Sequence, residues 1–132
     1  MSNPAAMAAH DPSDEASILV IGWEVVMTTP DLRTNKFYRV FLSGDDVVIN
    51  YGRRHKKGQV QRHSCDSFAA AAAKARKLAT EKQAKGYVPS LPVTPFQVSQ
   101  RDFQRADSDP SSAQRVIDAF LDHAANAHSA PS

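Results

Sequence analysis

The order of strand-like runs between residues 18 and 63, three of them apolar and the fourth mostly polar, is the feature that most restricts how this chain folds. Four runs have the length and residue types of β-strands, and they cover residues 18–28, 36–42, 47–51 and 58–63. Turn-forming residues separate them, most clearly the tetrapeptide Ser43-Gly44-Asp45-Asp46. Because strands joined by such short connections pair with their sequence neighbours in antiparallel fashion, the pattern predicts a single antiparallel sheet of about four strands.

An alanine-rich segment after these strands predicts one long helix packed on the sheet. Asp66 is typical of a helix N-cap, and Gly86 is typical of the residue just past a helix end. The apolar residues between them fall on one helical stripe, formed by Phe68, Ala71, Ala72, Ala75, Leu78 and Ala79. Strands followed by a packed helix place the chain in the α+β class.

The C-terminal third predicts an extended strap and a last helix. Three prolines lie within residues 89–98 among apolar residues, which indicates an extended segment packed on the domain. Asp109 followed by Pro110 is typical of a helix start. This helix either covers the sheet face left open by the long helix or docks on a partner, through Val116, Ile117, Phe120, Leu121 and Ala124.

These signals divide the chain into four parts. We expect residues 1–16 to be a disordered tail, because they are rich in Ala, Ser, Asp and Pro and poor in apolar content. Residues 17–88 form the main domain, and residues 89–127 form the strap and helix packed on it. Residues 128–132 form a second disordered tail.

Charges are segregated along the chain, although its net charge is only +2. Residues 33–85 carry 13 Lys and Arg against 4 Asp and Glu, a net +9, and the flanking residues together carry −7. A basic segment between acidic flanks favours an anionic partner. The alternative is a solvated surface whose charges are segregated without functional consequence.

The segment from Tyr51 to Gln59 carries the strongest functional signal. It places four basic residues, a histidine and an aromatic ring around two glycines at a predicted hairpin tip. Lys and Arg neutralise phosphates, and a tyrosine ring stacks on bases. The alternative is a solvated loop with Tyr51 packed in the core. The residues that we expect to contact nucleic acid are Tyr51, Gly52, Arg53, Arg54, Lys56, Lys57 and Arg62.

No catalytic or metal-binding constellation is present in the sequence. There is no P-loop, dinucleotide fingerprint or framed serine nucleophile. His55, His63 and Cys65 do not have the spacing of a zinc site. We therefore expect no enzyme activity, no catalytic residues, no metal, no cofactor and no small-molecule substrate.

Composition indicates a cytoplasmic protein without a membrane partner. The longest apolar run, residues 18–27, is too short to span a bilayer, and the first basic residue is Arg33, so a secretory signal is not expected. Cys65 is the only cysteine, which excludes an intramolecular disulfide and fits a reducing compartment.

Four ordered motifs resemble the WGR domain, a module of DNA-damage-activated poly(ADP-ribose) polymerases that also occurs in small bacterial proteins. They are Asn35-Lys36-Phe37-Tyr38-Arg39, Tyr51-Gly52-Arg53 with Gly58-Gln59, Asp66-Ser67-Phe68 before an alanine-rich helix, and Lys85-Gly86-Tyr87. The resemblance covers about residues 18–88. Tyr51 stands where the family has its signature tryptophan, and the turn that follows is more basic than usual for the family.

The resemblance implies a non-catalytic module that binds duplex DNA at nicks or ends and takes part in DNA repair. It adds Asn35 and Gln59 to the expected contact residues. Recognition of backbone and shape is expected, since no helix has the polar face of a groove reader. The alternative is a protein-interaction module that uses the same basic face on an acidic partner. A single-stranded RNA ligand is a third possibility.

Overall fold

The computed structural model describes residues 16–31 and 33–129. The first fifteen residues of the predicted N-terminal tail, and residues 130–132 of the predicted C-terminal tail, lie outside the described residues. Among the described residues, five strands form one antiparallel sheet of order β4-β3-β2-β1-β5, which confirms the predicted α+β class. The strands are β1 (Ser17–Thr28), β2 (Asn35–Ser43), β3 (Asp46–Arg53), β4 (Gln59–Ser64) and β5 (Val88–Ser99).

The predicted strap is the fifth strand of the sheet. β5 pairs in antiparallel with β1 from Ser17↔Ser99 to Val26↔Val88, with irregular register near Glu24. Proline lacks the N–H that a central strand must donate on both sides, but an edge strand tolerates it. The estimate of about four strands was therefore one strand short, because the prolines pointed to an extended segment outside the ladder. The predicted domain boundary between residues 88 and 89 stays a prediction.

Helix α1 (Phe68–Ala84) packs on β2 and β3 through small side chains. Ala71 and Ala75 are buried, as predicted, but Phe68 at the start of the predicted stripe is 60% exposed. The N-cap is Ser67 rather than the predicted Asp66, because the Ser67 hydroxyl accepts a hydrogen bond from the backbone N–H of Ala70 at 3.1 Å. Gly86 follows the helix with a φ of +109°, a left-handed conformation that glycine adopts readily.

Two helices follow β5, a short α2 (Gln100–Gln104) and a longer α3 (Pro110–Ser129). Asp109 caps α3 as predicted, since its carboxylate accepts a hydrogen bond from the backbone N–H of Ser111 at 3.0 Å. The apolar face of α3 packs against β5 and the sheet, so the first of the two predicted alternatives describes this helix.

The core has two layers, one on each face of the sheet. Alternate residues of one strand point to opposite faces, and Val40 and Phe41 accordingly belong to different clusters. On the α1 face, Val40 packs with Ala71 and Ala75. On the α3 face, Phe41 packs edge-on against Phe96 and Phe120, with ring centroids 5.8 and 5.3 Å away.

Candidate nucleic-acid interface

The β3–β4 hairpin presents the basic residues to solvent. Arg53, Arg54, His55, Lys56 and Lys57 are all exposed, so the structure brings four of the predicted phosphate contacts together at one tip. We call residues 53–58 the basic loop. No carboxylate is contributed by the loop itself, and like charges that close to one another favour an anionic ligand.

The two glycines let the ends of the loop come together. A Cβ on Gly52 would lie 2.9 Å from the Gly58 Cα, and one on Gly58 would lie 2.5 Å from the Tyr51 carbonyl oxygen. Gly58 also has a φ of +78°, in the left-handed region. These glycines therefore let the end of β3 and the residues before β4 approach each other closely, which the closure of the loop requires.

A buried polar network holds the loop from the α3 face of the sheet. Glu24, Arg39 and Asn50 lie side by side on β1, β2 and β3. Arg39 Nε donates to Glu24 at 2.7 Å, and Arg39 Nη1 donates to the Asn50 side-chain oxygen at 2.7 Å. The Asn50 amide then donates to the backbone carbonyls of Lys57 and Gln59 at 3.0 and 3.1 Å.

This network fixes the returning end of the basic loop. Asn50 is fully buried, and its amide is satisfied on both sides. The Arg39 guanidinium also lies over the Phe37 ring at 4.1 Å, so it contacts an aromatic face as a cation. The Asn50 amide thus has partners for both its oxygen and its nitrogen, and it holds the backbone at Lys57 and Gln59.

Tyr51 is half-buried on the α1 face. Its ring centroid lies 6.1 Å from that of Tyr38, and its hydroxyl donates to Gln59 Oε1 at 3.0 Å and accepts from Gln61 at 3.1 Å. The predicted contacts Tyr51 and Gln59 are thus bonded to each other beside the basic loop. Stacking of Tyr51 on a base stays a prediction, because the ring is shared between the core and the surface.

Asn35 and Arg62 lie at the two margins of the candidate site. The Asn35 backbone carbonyl accepts from the Arg54 N–H at 2.9 Å, and the buried Asn35 Oδ1 has no hydrogen-bond partner among the described residues. Arg62 instead contacts Asp46 at 3.3 Å and Asp107 at 3.9 Å, and its side chain is 29% exposed. Arg62 therefore already has two carboxylate partners, unlike the loop residues.

A second basic surface adjoins the loop on the α1 face, and sequence analysis did not single it out. Lys36 is opposite Arg53 in the β2–β3 register, and Lys36 and Lys85 each lie close enough to Lys82 to lower its pKa. The Lys82 ammonium lies 4.8 Å from the Tyr38 ring centroid and 5.4 Å from the Tyr87 ring centroid. We call Lys36, Lys82 and Lys85 the lysine ledge.

The ammonium groups at the lysine ledge repel one another, and Glu81 offsets part of that repulsion. Burial lowers the pKa of Lys82 first, and the neighbouring Lys85 and Lys36 charges lower it further. Burial likewise raises the pKa of Tyr38 to about 12, with a contribution from Glu81. In the sequence, the ledge is indicated only by Lys36 in the first family-like motif and Lys85 in the last. These residues come together only through the strand register and the placement of α1.

A polar cleft opens on the other side of the basic loop, between the loop, β5 and α3. Its volume is about 520 Å³. Its floor holds Phe37 and Arg39, and Glu24 lies beside them. Its walls come from the basic loop and from Ser90, Leu91, Gln114, Ile117 and Leu121.

The described residues also restrict other functions. In the ranges 16–31 and 33–129, no group of three or more His, Cys, Asp or Glu is placed to hold a metal ion. None of the helices in those ranges is long and apolar enough to cross a membrane.

Comparison with known proteins gives two matches. The WGR domain family matches residues 23–93, more than half of the chain, which includes the basic loop, the lysine ledge and α1. The chain is also similar to a crystal structure of a protein from Bacteroides fragilis, with 34% sequence identity over 53% of this chain and a TM-score of 0.50.

This chain spans only 19% of that larger protein. No match was found among the curated proteins. The matched residues include the four motifs on which the resemblance was based. The chain therefore belongs to the WGR domain family, whose members are nucleic-acid-binding modules that are not catalytic by themselves.

Proposed function

We propose that this WGR domain binds duplex DNA at nicks or ends, acts in DNA repair in the cytoplasm, and has no catalytic step of its own. The observation that carries the proposal is the basic loop, in which four exposed cations lie together and whose returning end is held by the buried Glu24–Arg39–Asn50 network. Because the backbone at that end is already fixed, less conformational entropy is lost on binding there.

The contact set consists of Arg53, Arg54, Lys56 and Lys57 for phosphates, with Gly52 shaping the loop. Tyr51 and Gln59 lie at the α1-face margin, where a terminal base pair stacks or the sugar packs. Asn35 supplies an acceptor beside Arg54. Arg62 contributes least, because binding a phosphate requires it to exchange its contacts with Asp46 and Asp107.

The lysine ledge supports the same ligand. A phosphate near Lys82 relieves the repulsion among three ammonium groups and raises the lowered pKa of Lys82. The ledge and the loop meet at the Lys36↔Arg53 pair, at the end of the β2–β3 ladder. Two adjoining cationic surfaces suit the two strands of a duplex better than an isolated phosphate.

The test is fluorescence-anisotropy binding to a nicked, 5′-phosphorylated duplex and to the same duplex without the nick, over a salt series. The variant is Arg53→Glu/Lys56→Glu in the loop. The matched control is Arg76→Glu/Lys77→Glu, which makes the same charge change at exposed positions of α1. We expect salt-steep binding that the loop variant loses and the control keeps, with tighter binding to the nicked duplex.

Absence of wild-type binding at low salt contradicts the proposal. Binding to an acidic polypeptide such as poly-glutamate in that case points instead to a protein-interaction module. Tighter binding to a matched single-stranded RNA points to RNA. Equal affinity for nicked and intact duplexes retains the DNA ligand but removes the preference for breaks.

A further inference from the structure

The polar cleft beside the basic loop is built partly by residues outside the matched family segment. Gln114, Ile117 and Leu121 of α3 form one wall, and the family match ends at residue 93. The cleft lies on the α3 face of the sheet, whereas Tyr51 and the lysine ledge lie on the α1 face. It is therefore distinct from the surface on which Tyr51 would stack.

The volume and polarity of the cleft suit a small anionic ligand. Its volume of about 520 Å³ lies within the range of about 300–1,000 Å³ typical of small-molecule sites. Arg54, Lys56 and Lys57 line its basic side, and its lone carboxylate, Glu24, is already paired with Arg39 at 2.7 Å. The electrostatic balance of the lining thus favours a phosphate at the loop side.

The floor and the far wall suit a planar group rather than a phosphate. The Arg39 guanidinium carbon lies 4.1 Å from the Phe37 ring centroid, and neither of the two side-chain hydrogen bonds of Arg39 uses Nη2. Leu91, Ile117 and Leu121 add apolar surface. Planar bases stack on guanidinium groups and on such apolar surfaces.

Gln114 gives the far wall a hydrogen-bonding group. Its amide nitrogen donates to Asp118 at 2.8 Å, which fixes the amide and leaves its oxygen as an acceptor. An acceptor at this place suits the exocyclic amine of a base, while Asp118 beside it disfavours a phosphate on the α3 side. Both walls are consistent with one orientation of a nucleotide, in which its phosphate lies at the basic loop and its base lies at α3.

We propose that the cleft between the basic loop and α3 binds one nucleoside phosphate, the unpaired nucleotide at a DNA end, with its phosphate at Arg54, Lys56 and Lys57 and its base between Arg39 and Gln114. This inference rests on the proposed binding of DNA ends. The same chemistry is present in a free nucleoside monophosphate, and the experiment separates the two sources.

The test compares a blunt duplex, the same duplex with one unpaired 5′-phosphorylated nucleotide, and free AMP or CMP. Two variants fill the cleft from opposite walls, Ser90→Trp and Gln114→Trp. The control is Gln97→Trp, which lies on β5 outside the cleft lining. All three positions are exposed, so folding is retained and is checked by thermal unfolding.

We expect the wild type to bind the overhang duplex at least about fivefold more tightly than the blunt duplex, because one additional base is stacked. Both cleft variants reduce that ratio to near one without changing the affinity for the blunt duplex, and the control keeps it. Equal wild-type affinity for the two duplexes, or a ratio insensitive to both cleft variants, overturns the inference and leaves the binding of duplex DNA intact.

If free AMP or CMP binds the wild type but neither cleft variant, and the protein does not bind duplex DNA, the nucleotide site is retained and DNA is overturned as its source. The Arg53→Glu/Lys56→Glu variant can lose affinity for the blunt duplex while the cleft variants keep the wild-type ratio of overhang to blunt affinity. This result supports the proposed function alone and overturns the inference. Absence of binding to every ligand overturns both proposals.

Discussion

Gly58 is the residue on which the closure of the basic loop depends most directly. Its φ of +78° is unfavourable for other L-residues, and a Cβ would meet the Tyr51 carbonyl oxygen at 2.5 Å and Phe37 Cζ at 2.8 Å. The contact with the backbone cannot be relieved by a rotamer change. The loop must therefore open, or β3 and β4 must separate, when a side chain is introduced.

Gly58→Ala accordingly lowers the free energy of unfolding by more than about 1 kcal/mol and weakens DNA binding. Urea denaturation and anisotropy measure the two effects. Gly44→Ala is the matched control, since Gly44 also has a positive φ, +55°, but a Cβ there meets nothing within 4 Å. Similar losses for the two variants would contradict the steric explanation, which requires the larger loss at Gly58.

Asn50 supports the same loop from inside the sheet. Asn50→Ala removes the donor to the Lys57 and Gln59 carbonyls and the acceptor for Arg39. We expect a loss of about 1–3 kcal/mol in the free energy of unfolding, because buried partners lose their bonds. DNA affinity also falls, since the returning end of the loop must then be ordered during binding.

The control is Gln61→Ala, at an exposed residue whose side chain donates to the Tyr51 hydroxyl. We expect its free energy of unfolding to stay within about 0.5 kcal/mol of the wild type. An Asn50 variant with normal stability and affinity would remove the network from the explanation of the site.

The sequence predicts the composition of the loop but not its support. Basic residues between glycines are contiguous, so their exposure at a hairpin tip follows from local turn chemistry. Glu24, Arg39 and Asn50 are far apart in sequence and become neighbours only through the Glu24↔Arg39 and Arg39↔Asn50 register pairs. Register depends on the whole sheet, so the residues around Arg39 in the sequence do not indicate its two polar partners.

Elements with continuous periodic patterns were predicted well, and those with conflicting signals were not. β1 to β4, α1 and α3 follow from alternation and helical spacing. β5 carries Pro89, Pro92 and Pro95, which is a signal against a strand unless one side of the strand faces solvent. The edge position is a property of the assembled sheet. Phe68 shows the same limit, since it shares the stripe of α1 but is exposed in the assembled fold.

Helix α3 is held at its start by an ion pair as well as by its apolar face. Asp102 of α2 is buried and accepts from Arg115 Nε at 2.8 Å and Nη2 at 2.9 Å, and from the Ser112 hydroxyl at 3.0 Å. The hydrogen bond from Arg115 lowers the pKa of the Asp102 carboxyl below its usual value. A lowered folded-state pKa means that the pair stabilises the fold above the unfolded pKa and that this stability is lost as pH falls through the folded one.

Asp102→Asn therefore lowers the free energy of unfolding at pH 7, and its difference from the wild type shrinks below about pH 4, where the unfolded Asp102 is protonated. Urea denaturation at pH 7 and at pH 3 measures this difference. Asp118→Asn is the control, since Asp118 is exposed and accepts only from Gln114. A difference that grows on acidification would contradict the assigned sign.

On the scale of the whole molecule, the basic side chains form two surfaces that meet at one corner. Residues 33–85 carry a net +9, and within them the basic loop and the lysine ledge join at the Lys36↔Arg53 pair. The acids of the C-terminal part are largely engaged, because Asp102 pairs with Arg115, Asp107 approaches Arg62, and Asp109 caps α3. The predicted charge segregation is thus accompanied by a spatial one, in which the basic loop and the lysine ledge adjoin at Lys36 and Arg53.

If both surfaces contact one duplex, the salt dependence of binding reports on each independently. Each neutralised phosphate contributes about −0.9 to the slope of log affinity against log salt concentration. Lys36→Gln/Lys85→Gln therefore makes the slope less negative by about 0.9–1.8, and Arg53→Gln/Lys56→Gln does the same. Arg76→Gln/Lys77→Gln, with the same charge change on the exposed side of α1, leaves the slope unchanged. A ledge variant with the wild-type slope would confine the duplex to the basic loop. Equal changes of slope in all three variants would indicate a general effect of net charge rather than contact at these two surfaces.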